Sequence, residues 1–90
     1  MLYALLCHDK PNALEVRKAN RDDHLAYIKS SGVVTQAGPL LDAEGNMAGS
    51  LLILDVEDGD AAQAWADNDP YAKADLFADV TIYPWNRVIG

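Results

Sequence analysis

From Leu2 to Cys7 the chain is apolar at every position, with Leu2, Ala4 and Leu6 on one parity and Tyr3, Leu5 and Cys7 on the other. Alternate residues of a strand point to opposite faces, so this run predicts a first strand that is apolar on both sides. Asp9-Lys10-Pro11-Asn12 reads as a turn leading into a helix. Ala13 to Ser31 predicts that helix, with Leu14, Leu25 and Ile28 on one face and Gly32 as its stop. Val33 to Leu40 predicts a second strand that ends in Gly38-Pro39-Leu40, where proline suits a strand end or an edge. Asp42 to Asn46 is rich in turn residues and predicts a hairpin loop. Met47 to Val56 predicts the third strand, with Leu51 and Ile53 pointing one way and Leu52 and Leu54 the other. Gly59-Asp60 opens a second helix, with Asp60 as the expected N-cap and Trp65 as the expected core anchor. The alanine-rich run Ala61 to Ala66 ends at Asn68-Asp69-Pro70-Tyr71, because a residue before proline is pushed out of the helical region. Tyr71 to Ala78 predicts a short helical stretch, and Asp79 to Val88 the last strand.

The order strand, helix, strand, strand, helix, strand is the ferredoxin-like βαββαβ arrangement of the α+β class, an antiparallel four-stranded sheet with both helices on one face. The open face of such a sheet is ordinarily polar. Here the strands are apolar on both parities, and a bare apolar sheet is a liability in water. The pattern therefore predicts a homodimer that packs sheet against sheet.

Composition narrows the picture. Ninety residues fit one domain, residues 1–90, and half of them are hydrophobic. That is rich for so small a domain and again favours a second subunit. The net charge of −7 repels phosphate backbones, so nucleic acid is not an expected partner. The longest purely aliphatic run, Leu51 to Leu54, is far too short to span a membrane, so no membrane partner is expected. The start of the chain lacks a signal-peptide pattern, and a single cysteine, Cys7, cannot form an internal disulfide; together they lead to a cytoplasmic expectation. No dinucleotide fingerprint, phosphate loop, Cys-x-x-Cys or His-Glu-x-x-His motif is present, and no cofactor is expected.

Chemistry-bearing residues gather in two places. Arg17, Arg21 and His24 follow at spacings of four and three, so they stand on one line of the first helix. The chain has three arginines and spends two of them there; the structural alternative is a solvated face balanced by Asp22 and Asp23. Asp69 is held at a helix end, where its carboxylate can orient a histidine or hold a positive charge; the alternative is a plain helix stop. His8 follows the parity of Leu2, Ala4 and Leu6 and is a further candidate for an inward-facing group. No pair of ligands lies at a short metal-binding spacing, so His24, Asp69 and His8 are not read as a metal site.

Several short pieces, in order, carry a resemblance. They are Arg17 and Arg21 before His24-Leu25, Gly32, Ala37-Gly38-Pro39-Leu40, Gly49-Ser50, Asp69-Pro70-Tyr71 and Pro84-Trp85. Together they span nearly the whole chain and resemble the YCII-related (YciI-like) family. That resemblance implies a dimeric α+β barrel and a buried pair of His24 and Asp69 in a cleft between sheet and helices. An aspartate on one imidazole nitrogen leaves the other free as a base, and it stabilises the imidazolium. Such a pair suits an isomerase or a lyase of the dehydrohalogenase type acting on a small anionic organic molecule. Arg17 and Arg21 are the candidate anion binders, and Gly38, Pro39, Ser50 and Tyr71 the further candidate substrate contacts. Ser50 lacks the strand-to-helix elbow of a serine nucleophile. The alternative is a non-catalytic ligand-binding or accessory domain of the same fold.

Overall fold

A computed structural model describes residues 1–90. Strand β1 (Leu2–Asp9) leads through a short turn to helix α1 (Leu14–Ser31), then to the hairpin of β2 (Val34–Leu41) and β3 (Met47–Asp55). Helix α2 (Gly59–Asp67), a single turn α3 (Pro70–Lys73) and strand β4 (Phe77–Trp85) complete the chain. The sheet order is β2-β3-β1-β4 and every neighbouring pair is antiparallel, which is the βαββαβ topology expected from the pattern.

Pairing of Leu5 with Leu52 and with Ile82 fixes which side chains share a face. Tyr3, Leu5 and Cys7 of β1 and Leu52 and Leu54 of β3 point toward the helices and form the core with Ala62, Trp65 and Ala66 of α2. Trp65 is the anchor expected of it, and its indole N–H donates to Ser31 Oγ at 3.0 Å, which joins α2 to the end of α1. The opposite parity, with Leu2, Leu6, Leu51, Tyr83 and Trp85, forms the open face. Gly49 lies where β1 and β3 approach so closely that a Cβ would run into the carbonyl oxygen of Cys7.

Some expectations are corrected. The cap of α2 is Asp58, whose carboxylate accepts from the Ala61 amide at 2.8 Å; Asp60 lies one residue inside the helix, in its first turn. The helical stretch after Pro70 stops at Lys73, because Asp75 takes a φ of 59° and Leu76 N–H closes back on the Tyr71 carbonyl. The reversal lets β4 begin at Phe77, two residues early, and end at Trp85, leaving Val88 and Ile89 exposed beyond it. On α1 Ile28 packs against the core as expected and Leu14 is partly buried, but Leu25 is 43% exposed, and the fully buried residues on that side of the helix are polar, Arg17 and His24. A helix that turns its polar line inward has a polar site beneath it.

Candidate active site

Asp69 is positioned by local backbone chemistry. Asn68 closes α2, Pro70 begins α3, and Asp69 between them is extended, with φ −62° and ψ 128°. Its Oδ1 accepts from the Tyr71 amide at 3.0 Å, an N-cap that satisfies the first turn of α3 and fixes the carboxylate. The same oxygen lies 2.7 Å from Nδ1 of His24 on α1. Both side chains are buried. An ionised carboxylate only accepts, so Nδ1 carries the proton of the pair and the neutral ring keeps Nε2 bare. Nε2 has no partner within the protein. Tyr71 stacks on the imidazole at 3.9 Å between ring centroids and 16° between planes, so the histidine is fixed by both its edge and its face.

A second buried pair lies beside the first. Arg17 Nε donates to Asp9 Oδ2 at 2.7 Å, and its Nη2 donates to Asp9 Oδ1 at 2.8 Å and to Ser50 Oγ at 2.9 Å. The side chains of Arg17 and Asp9 are 3% and 6% exposed, so this is a desolvated, two-pronged ion pair. Burial pulls the Arg17 pKa down, but the hydrogen bonds and charge of Asp9 outweigh it and hold the guanidinium above its ordinary value. Because Ser50 Oγ accepts from Arg17, its own O–H is free to donate elsewhere. The Arg17 guanidinium also lies 4.7 Å from the centre of the Tyr71 ring. Burial pushes the Tyr71 phenol above its ordinary range, against the pull of Arg17 and Arg21. Cys7 faces the same interior, where burial pushes its thiol up to about 12 and keeps it in the inert, protonated form.

These groups surround a cavity of about 190 Å³ between α1 and the β2–β3 hairpin. Arg17, Arg21, His24, Gly38, Pro39, Ser50 and Tyr71 all line it, so the chain brings together every expected site residue except Asp69, which stands behind His24. Leu25, Ile28, Met47 and Leu52 make the rest of the wall largely apolar. Asp9 is the residue missed by sequence reasoning. Asp9-Lys10-Pro11-Asn12 reads as a turn, yet β1 continues to Asp9, and the strand parity of Tyr3, Leu5 and Cys7 continued two residues further would have placed its carboxylate under the helix.

His8 is corrected. It lies on the open face, half exposed, with Nδ1 2.8 Å from Asp79 Oδ1, and so on the opposite side of the sheet from His24. No three histidine, cysteine or acidic side chains come close enough together to hold a metal ion. No helix is long and apolar enough to cross a membrane.

Known proteins match this chain over nearly its whole length. Protein YciI of Escherichia coli O6:H1 is 36% identical, with 98% of this chain and 99% of the relative covered. An uncharacterized protein of Haemophilus influenzae is 37% identical over the same shares. Among solved structures, 5-chloro-2-hydroxyhydroquinone dehydrochlorinase from Burkholderia phenoliruptrix AC1100, in complex with 2,5-dihydroxybenzoquinone, superposes with a TM-score of 0.89 at 35% identity, covering 96% of this chain and 94% of its own. The YCII-related domain model matches residues 1–86, and the chain belongs to that family.

Proposed function

We propose that this protein is a cofactor-free enzyme that uses His24 and Asp69 as a general acid–base pair on a small anionic organic molecule, in an isomerase or dehydrohalogenase type of reaction. The observation that carries this is the 2.7 Å contact of His24 Nδ1 with Asp69, with Nε2 left without a protein partner and His24 on the lining of a small cavity of mixed polar and apolar walls. Nε2 takes a proton from an O–H or an acidified C–H of the substrate. Asp69 balances the imidazolium that results. The electron pair left behind develops as negative charge on a substrate oxygen, where the Ser50 hydroxyl and the Arg17 guanidinium meet it. Asp9 holds that guanidinium in place before the reaction begins, so little reorganisation is required when the charge appears. In a dehydrohalogenation the same electron pair forms the new double bond as the halide departs with the electrons of its own bond. The net loss is HX. In an isomerisation the imidazolium returns its proton to a second atom. Gly38 and Pro39 form the wall opposite α1, and Tyr71 keeps the imidazole plane fixed.

A positioned acid–base group is worth about 10²–10⁴-fold in rate and each oxyanion donor about 10²–10³-fold. Those magnitudes suffice for an already acidic substrate, such as a hydroxylated ring. The 35% identity to a dehydrochlorinase of a chlorinated hydroxyhydroquinone supports the same reaction class here. The test is chloride release from chlorinated hydroquinones by the parent protein and by His24→Gln. We expect turnover by the parent and a loss of about 10²-fold or more in the variant. Turnover that survives the substitution overturns the assignment, and ligand binding without any turnover favours a binding domain.

We also propose that two copies pack open face to open face. Leu51, Tyr83 and Trp85 there are 39%, 51% and 37% exposed, with Leu2 and Leu6 between them. A shallow depression of about 280 Å³ on that face, beside Leu51 and Ile53, holds no titratable group, and this supports an apolar contact in preference to a second reactive site.

A further inference from the structure

We infer that Arg21 anchors a second, permanently anionic group of the substrate. The cavity is then built for a small ring that carries a carboxylate about one helical turn from its reacting oxygen. This rests on the acid–base reading above and names the substrate class of the same site.

The charges around the cavity divide unequally. Arg17 is cancelled by Asp9 through two hydrogen bonds of 2.7 and 2.8 Å, and the positive charge that forms on His24 is answered by Asp69 at 2.7 Å. Arg21 is the remaining cation on the lining, and it has neither a carboxylate partner nor a hydrogen bond. This occurs in a chain with 14 acidic residues and a net charge of −7, where counter-ions are plentiful. Asp22 and Asp23 directly follow Arg21, but residues one and two apart on a helix do not share a face. The one uncancelled charge facing the cavity is therefore positive and lies at its exposed rim.

Arg17 and Arg21 are four residues apart, which is about 6 Å along a helix axis. A substrate oxygen on Arg17 and Ser50 then leaves the far side of a single six-membered ring near Arg21. The apolar wall of Leu25, Met47 and Leu52 suits the ring between those two ends. A cavity of about 190 Å³ has room for such a ring. Arg21 also stands three residues from His24, on the same side of the helix, so a ring held at the rim presents its other end to Nε2.

The test compares phenol with 4-hydroxybenzoate, which differ only by the distal carboxylate. Binding is followed through the His24 ring signals by NMR, in the parent, Arg21→Gln and Arg21→Lys. The parent is expected to bind 4-hydroxybenzoate roughly tenfold more tightly than phenol, the range of a charge-assisted hydrogen bond discounted for an exposed rim. The preference should shrink with added salt, vanish in Arg21→Gln and partly return in Arg21→Lys, with phenol affinity changing less than that of 4-hydroxybenzoate. Equal binding of the two ligands by the parent, or a preference that survives Arg21→Gln, overturns the anchor while the His24 response leaves the acid–base reading standing. If neither ligand moves the His24 signals, both fall.

Discussion

Asp9 and Arg17 show how a single side chain can matter to both stability and chemistry. Their pair is buried, and removing one partner strands the other charge in a poorly solvated place. Asp9→Ala is therefore expected to cost about 3–5 kcal/mol, which is a large share of the stability of a small domain. Chemical denaturation of the variant measures it, and a loss under about 1 kcal/mol would mean that water reaches Arg17 freely. The arginines and histidine of this candidate site were legible in the chain because Arg17, Arg21 and His24 follow at spacings of four and three and so share one helix line in an acidic protein. Asp69 was legible because the proline after it fixes its backbone. Asp9 was not, because Lys10-Pro11-Asn12 follows it and turn chemistry dominates any short window; only the continued strand parity carries the information.

At the scale of elements, the apolar pattern fixed type and order better than ends. Strand β1 shows its double parity directly, with Leu5 buried against the helices and Leu6 on the other face. The ends were harder to read because they depend on single backbone choices. Asp75 at φ 59° ends α3 and starts β4 early, and nothing in the alanine-rich stretch marks that reversal except one aspartate. Likewise Asp58 and Asp60 are equally good capping residues on paper, and the extended backbone at Asp58 decides between them. The depth of the polar residues on α1 was harder to read. Hydrophobic spacing points to Leu14, Leu25 and Ile28, and Ile28 does pack on the core, but Arg17 and His24 on the same side go deeper, because Asp9, Ser50 and Asp69 lie beneath them with complementary hydrogen bonds. Periodicity alone cannot find a polar interior whose partners come from three other elements.

For the whole molecule the deciding feature is a sheet whose helices cover one face and leave Leu51, Tyr83 and Trp85 exposed on the other. Neighbouring residues of β3 separate the two roles. Leu52 is fully buried under the helices, whereas Leu51 points to the open face and is 39% exposed. Leu51→Glu is expected to yield a folded monomer, seen as a halved mass by sedimentation with an unchanged far-UV spectrum. Leu52→Glu is expected to unfold the chain, because a charge in the core has no partner. A dimer that tolerates Leu51→Glu would place the contact elsewhere, and a parent that sediments as a stable monomer at micromolar concentration would remove the face-to-face assembly altogether.

The central claim is that Asp69 commits His24 to one tautomer, with Nδ1 protonated and Nε2 free to take a proton from a molecule in the cavity. Nitrogen-15 NMR of the histidine rings at alkaline pH, in the parent and in Asp69→Ala, tests it most directly. The account predicts that His24 of the parent shows a protonated Nδ1 and a bare Nε2, and that the variant loses this bias. A parent His24 whose proton resides on Nε2, or a pattern that ignores the loss of Asp69, would contradict it: the base would then face the wrong way, and the acid–base chemistry proposed for this cavity would have no agent.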